Sequence, residues 1–122
     1  MILRYVSDEL VDPRWPTPWL RAALGTATLA VLSDGPLHGY GIAVALQERG
    51  FGRPRGGSLY PLLATLEADG AVTATWAPGA SGPGRKTYAL TEAGRTRWEQ
   101  EHASWRQLID ALGHRGAAER SV

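Results

Sequence analysis

Gly57-Ser-Leu-Tyr-Pro-Leu-Leu-Ala-Thr-Leu-Glu-Ala-Asp-Gly70, followed by a short apolar run, a glycine-rich tip and Arg85-Lys86, is the stretch on which the reading of this 122-residue chain turns. A helix that buries one leucine face, stops at a glycine and runs into a basic hairpin has the layout of a recognition helix with its wing. With Ser58 as N-cap, the hydroxyl accepts from the first free backbone N–H groups. Pro61 then falls at the third helical position, where its missing N–H has no intrahelical partner to lose. Leu59, Leu62, Leu63 and Leu66 share one face. Ser58, Tyr60, Pro61, Ala64, Thr65 and Ala68 lie on the others, small or hydrogen-bonding residues with no evident packing need. Such a face suits a nucleic-acid groove.

The apolar runs on either side place the other elements. From Trp19 to Ser33, Leu20, Leu24, Ala27 and Val31 step by four, three and four, which predicts a helix closed by Gly35-Pro36. A second helix is expected over residues 38–50, with Gly39 and Gly41 in its first turn, where glycine costs least. Residues 51–57 read as a loop with two arginines. Residues 71–76 and 86–90 read as two strands around a tip, 77–84, whose glycines and prolines dictate loop. The expected fold is therefore mainly α with a small β-hairpin: a winged helix-turn-helix domain over residues 19–90, preceded by an arm over 1–18. In the arm Pro13, Pro16 and Pro18 favour extended backbone and Trp15 and Trp19 offer apolar anchors, which suits either a loose leader or a strap on a partner subunit.

A last helix is expected over residues 91–112, ahead of a frayed tail at 113–122. Thr91 is its N-cap, with Glu92 and Glu99 on the early turns, although Gly94 stands where a capping box needs Glu or Gln. Trp98, His102, Trp105, Ile109 and Leu112 recur at heptad spacing. Two heptads need a surface to lie on, and a second subunit would supply it, making this a dimerisation helix; the alternative is that the helix folds back on its own domain. Trp98 and Trp105 suit either a packed dimer core or the walls of a pocket for a flat aromatic ligand.

Composition excludes several function classes. The chain carries 13 basic and 12 acidic side chains, a net charge of +1, so any basic footprint must be local. Arg49, Arg53, Arg55, Arg85, Lys86 and Arg95 flank the expected recognition helix and wing. Without cysteine there is neither a disulfide framework nor a thiolate zinc site, which suits a reducing compartment. Met1-Ile-Leu-Arg-Tyr-Val is interrupted too soon for a signal peptide, and no run approaches a membrane span, so the expected location is the cytoplasm and no membrane partner is expected. Residues 79–87 superficially follow a phosphate-binding loop, but Arg85 separates the last glycine from Lys86 and a strand follows where that chemistry needs a helix. His38, His102 and His114 are too scattered for a metal site, and no nucleophile sits beside a histidine. No enzyme activity, metal or cofactor is expected.

Taken together, His38-Gly39-Tyr40, Gly57-Ser-Leu-Tyr-Pro-Leu-Leu63, Leu66-Glu67, Gly70, Trp76, Gly82-Pro83, Arg85-Lys86, Tyr88 and Leu90-Thr-Glu-Ala-Gly94 strongly resemble the PadR family of transcriptional regulators, in its subgroup with one short C-terminal helix. The resemblance implies a winged-helix homodimer that represses transcription from inverted-repeat operators of double-stranded DNA and is released by a small molecule. Carried over by position, it places Tyr60 and its neighbours Arg55, Ser58, Pro61 and Thr65 on DNA, Arg85 and Lys86 in the wing, and Trp105 beside a planar aromatic effector, with Trp98 close by. Relatives often carry an acid in place of Gly41, an arginine in place of Thr65 and a second tyrosine in place of Thr87. The near-neutral charge and Thr65 suit the rival reading, a winged-helix module that binds another protein without ligand response.

Overall fold

The computed structural model describes residues 13–76 and 85–113. The far N-terminal arm, the wing tip over 77–84 and the tail from residue 114 lie outside them, and with these the glycine-rich loop and His114. Four helices and three strands follow in the order α1 (Thr17–Leu32), β1 (Leu37–His38), α2 (Gly39–Leu46), α3 (Gly56–Ala68), β2 (Val72–Trp76), β3 (Lys86–Leu90) and α4 (Glu92–Gly113). The architecture is mainly helical with one small antiparallel sheet.

Helix α1 opens on Pro16, whose extended backbone suits an N-cap, and Pro18 falls in the first turn where no N–H is needed. Ala27, Leu29, Val31 and Leu32 are all buried, more than one stripe, because α1 packs against α2, α4 and β3 together. The buried Thr28 hydroxyl donates to Leu24 O at 2.9 Å, so its burial leaves no orphan.

Helix α2 corrects the sequence expectation at both ends. It starts at Gly39, because His38 belongs to β1 and acts as the N-cap: its Nδ1 accepts from Gly41 N–H at 3.2 Å. Gly39 and Gly41 do sit in the first turn. At the other end the helix widens into a π turn over Gln47–Phe51, where Gly50 takes φ +95° and ends the helical path. Residues 13–15 lie across that turn. Arg14 N–H donates to Gly50 O at 2.8 Å, and Trp15 meets Phe51 edge to face at 6.0 Å.

Helix α3 starts three residues earlier than the sequence suggests. Arg55, not Ser58, is the N-cap; Ser58 and Leu59 N–H both donate to Arg55 O at 2.9 Å, which draws Gly56 and Gly57 into the first turn. Pro61 is consequently the sixth helical residue and removes one interior bond, the one that would end on Gly57 O. Gly57 is exposed with open space around it, so that carbonyl can turn to water. Leu59, Leu63 and Leu66 are fully buried, and Leu62 packs partly against them. The helix stops in a Schellman turn: Gly70 at φ +82° donates to Glu67 O at 3.0 Å and Ala71 N–H to Leu66 O at 2.9 Å.

The sheet has the order β1-β3-β2, antiparallel throughout, with Leu37 opposite Tyr88 and Val72 opposite Leu90. Val72 and Tyr88 carry the core onto the sheet, where Leu29, Leu32, Ile42, Leu46, Leu63 and Leu66 meet them.

Helix α4 is anchored by Thr91. Its hydroxyl accepts from Gly94 N–H at 2.9 Å and donates to Gly70 O at 2.6 Å, while its own N–H donates to Ala71 O at 3.0 Å. Gly94 passes so close that a Cβ there would lie 1.9 Å from Ala71 O. Beyond it the helix lies along α1 of the same chain. Trp98 packs against the core. Trp105 Nε1–H donates to Thr26 Oγ1 at 3.0 Å, the Thr26 hydroxyl donates to Glu101 Oε1 at 2.5 Å, and Arg97 joins Glu101 (2.9 Å) to Asp69 at the end of α3 (3.3 Å). Two residues of the expected seam, Trp98 and Trp105, are thus engaged by their own domain, while His102 between them is exposed. Past Trp105 that engagement ends: Leu108, Ile109 and Leu112 are 44%, 62% and 76% exposed.

Candidate nucleic-acid interface

The N-terminus of α2, the outer face of α3 and strands β2 and β3 enclose an open groove of about 530 Å³. The leucine spacing of α3 decides what faces outward, because once Leu59, Leu63 and Leu66 are buried, Ser58, Tyr60, Pro61, Ala64, Thr65 and Ala68 must face solvent, and all six do. Tyr60 leans into the groove, half exposed, with its hydroxyl over Gly39. A Cβ on Gly39 would stand 2.3 Å from that oxygen, so the missing side chain is what seats the ring. Thr65 turns its hydroxyl back onto Pro61 O at 3.1 Å.

From the sheet side come the cations. Lys86 Nζ lies 3.8 Å from Glu67 and within 6.0 Å of the ring centres of Trp76 and Tyr88. Burial, with Glu67 and Tyr60 nearby, pushes the Tyr88 hydroxyl above its ordinary pKa, so it stays a neutral donor. Arg85 is exposed at the foot of the wing, its Nη1 3.3 Å from His38 Nε2. Arg55 is exposed at the start of α3.

Two other arginines near the helix and wing are engaged elsewhere: Arg49 pairs with Asp34 at 3.1 Å, and Arg53 donates to Gln47 at 2.7 Å and lies over Tyr40. Arg95 is exposed on α4, outside the groove lining. The structure therefore joins Tyr60, Arg85 and Lys86 around one groove and adds His38, Tyr40 and Trp76, which sequence reasoning did not assign to the site. For His38 no local signal was present, since histidine is not among the residues that N-caps favour.

On α4 the predicted residues divide. Trp98 and His102 rings are 5.4 Å apart, with Trp98 turned into its own domain and its Nε1 buried without a partner among the described residues. Trp105, with Glu101, Ser104 and Leu108, borders a shallow hollow of about 170 Å³. Glu101 is held below the ordinary carboxylate pKa: burial pushes it up, but hydrogen bonds from Thr26 and Arg97 and the charge of Arg97 outweigh burial. Among the described residues no helix is long and apolar enough to cross a membrane.

A curated Streptomyces fradiae sequence, an uncharacterized 37.1 kDa protein in transposon TN4556, is 41% identical over 80 residues, 66% of this chain, and the chain spans 22% of that protein's length. The crystal structure of a PadR family transcriptional regulator from Eggerthella lenta is 30% identical with a TM-score of 0.72, over 79% of this chain and 83% of that one. Bacillus subtilis PadR, solved in complex with operator DNA, is 28% identical with a TM-score of 0.58, over 64% of this chain and 45% of that one. The sequence profile of the Transcriptional regulator PadR-like family matches residues 28–100, from the buried half of α1 through the recognition-helix layout and sheet into α4. The chain belongs to the PadR-like family of transcriptional regulators, whose members regulate transcription and are not enzymes.

Proposed function

We propose that this protein is a DNA-binding repressor that acts as a homodimer on inverted-repeat operators in the cytoplasm and is released by a small planar aromatic effector. The observation that carries the reading is the groove itself: a helix face of small and hydrogen-bonding residues, with Tyr60 half exposed on it, opposite Arg85 and Lys86 at the base of the wing. In this reading Ser58, Tyr60, Pro61 and Thr65 approach base edges and sugars, while Arg55, Arg85 and Lys86 hold phosphates. The similarity to a PadR solved on operator DNA supports it.

Dimerisation is supported by the exposed apolar end of α4, where Leu108, Ile109 and Leu112 find no cover in the described chain. Trp98 and Trp105, though engaged with the core and with α1, and the exposed His102 border the same side of the proposed seam. The hollow beside Trp105 is below the roughly 300 Å³ at which ligand pockets usually begin, so an effector site needs a second copy of α4 to close it. The effector acts by favouring a dimer whose half-site spacing misfits the operator.

The test is duplex binding followed across a salt series. Arg85→Glu with Lys86→Glu should weaken binding to all sequences and flatten the salt dependence, because phosphate contacts position without specifying. A double charge reversal that binds as tightly as the parent removes the wing from DNA. A parent that binds no duplex at any salt leaves the protein-interaction reading.

A further inference from the structure

We infer that His38 and Arg85 form a two-donor clamp for one phosphate oxygen, an anion site built from the N-cap of α2 and the foot of the wing. The inference rests on the DNA-binding reading above and extends it to a residue outside the recognition helix.

The argument starts from the imidazole. A neutral ring has one acceptor nitrogen and one N–H. Nδ1 faces Gly41 N–H at 3.2 Å, and that hydrogen is fixed by the backbone, so Nδ1 must be the acceptor. The proton then sits on Nε2. Arg85 Nη1, which has no acceptor capacity, stands 3.3 Å from Nε2. The two groups therefore cannot satisfy each other: two N–H donors face the same space.

Nothing in the described chain fills that space with an acceptor. Glu67 lies in the same groove, but it faces Lys86 at 3.8 Å, and among the described residues no carboxylate pairs with Arg85. His38 is half-buried, its ring held by the cap bond and by its place in β1, where it stands opposite Thr87 of β3. One donor is thus preorganised, and the other, an exposed guanidinium, is free to close on a ligand. A tetrahedral oxyanion supplies the acceptor both lack, and a charge-assisted bond from each donor is the stronger kind. The groove is open to solvent and lies beside Tyr60, so the anion that fits is a backbone phosphate flanking whatever α3 reads.

The test uses the full chain and a fluorescein-labelled random-sequence duplex, read by anisotropy over a salt series, with His38→Asn, Arg85→Gln and their combination. Asparagine keeps the cap, since its carbonyl can accept from Gly41 N–H, but is too short to reach Arg85. His38→Asn should bind about tenfold more weakly at an unchanged melting temperature, because a bond to a charged group is removed without removing a cation. Arg85→Gln should also lower the salt slope by about 0.9. Because both donors hold one oxygen, the combined loss should be smaller than the product of the single losses.

His38→Asn binding as tightly as the parent overturns the clamp while leaving DNA binding intact, and so do losses that multiply. A long-range ¹H–¹⁵N spectrum showing the neutral His38 ring protonated on Nδ1 overturns its premise. A parent that binds no duplex overturns the DNA-binding reading and the clamp with it.

Discussion

Gly94→Ala puts two rules in opposition. In an unconstrained helix interior, alanine in place of glycine stabilises by about 1 kcal/mol. Here the new methyl would lie 1.9 Å from Ala71 O and 2.8 Å from its carbon, with Leu90 Cδ2 at 3.1 Å behind it. An ordinary carbon–oxygen approach is about 3.3 Å, so the backbone of one partner must retreat by about 1.4 Å. That carbonyl accepts from Thr91 N–H at 3.0 Å and the Thr91 hydroxyl from Gly94 N–H at 2.9 Å, and neither bond survives such a shift. Two bonds at about 1 kcal/mol each, with about 2 kcal/mol of overpacking, outweigh the propensity gain by about 3 kcal/mol. At roughly 4 °C per kcal/mol the melting temperature falls by about 12 °C. Circular dichroism melts of parent and variant at one protein concentration read this directly. A variant that melts at or above the parent would refute the close approach of α4 to the α3–β2 turn.

Glu101→Gln should flatten the acid limb of the stability curve. A carboxyl held below its ordinary pKa contributes stability that is complete above about pH 4.3 and lost as pH falls through the folded value, so urea midpoints of parent and variant should converge in acid. Gly39→Ala meets only the end of the Tyr60 side chain, which can swing aside; the melting temperature should stay within about 5 °C of the parent while duplex affinity falls severalfold, and unchanged affinity would remove Tyr60 from the DNA face. Leu108→Ser with Ile109→Ser and Leu112→Ser should sediment as a monomer with parental helix content, because these side chains make no contribution to the chain's own core; a persisting dimer would place the interface elsewhere.

The face of α3 was legible because leucines at helical spacing admit one buried side, and Thr91 and Gly70 because a cap and a left-handed turn have narrow residue preferences. The start of α3 was not, since Gly56-Gly57 reads as loop locally and becomes helical only through bonds to Arg55 O. Strand β1 has two residues and exists through its pairing with β3, a partner about 50 positions away that no local pattern announces. Trp98 and Trp105 could be read as residues on one helix face. Which surface covers it depended on Thr26 and Glu101 meeting across the α1–α4 contact, a tertiary fact that heptad spacing does not encode. The groove was half visible: Arg85 and Lys86 could be read from the hairpin, but His38 enters only when the sheet brings residues 38 and 85 together.

The tight passage of Gly94 over Ala71 has a mechanical meaning. If α4 turns as a rigid rod about that contact, the helix is a lever with unequal arms: Leu112 lies about 27 Å from the fulcrum and Arg97 about 4.5 Å, a ratio of about six. A sideways swing of about 3 Å at the exposed tip then arrives as about 0.5 Å at Arg97. The Arg97–Asp69 bond at the end of α3 is already 3.3 Å long, and that half ångström is enough to break it. A coarse rearrangement where two copies would meet is geared down to a displacement on the scale of one hydrogen bond at the helix that faces the groove.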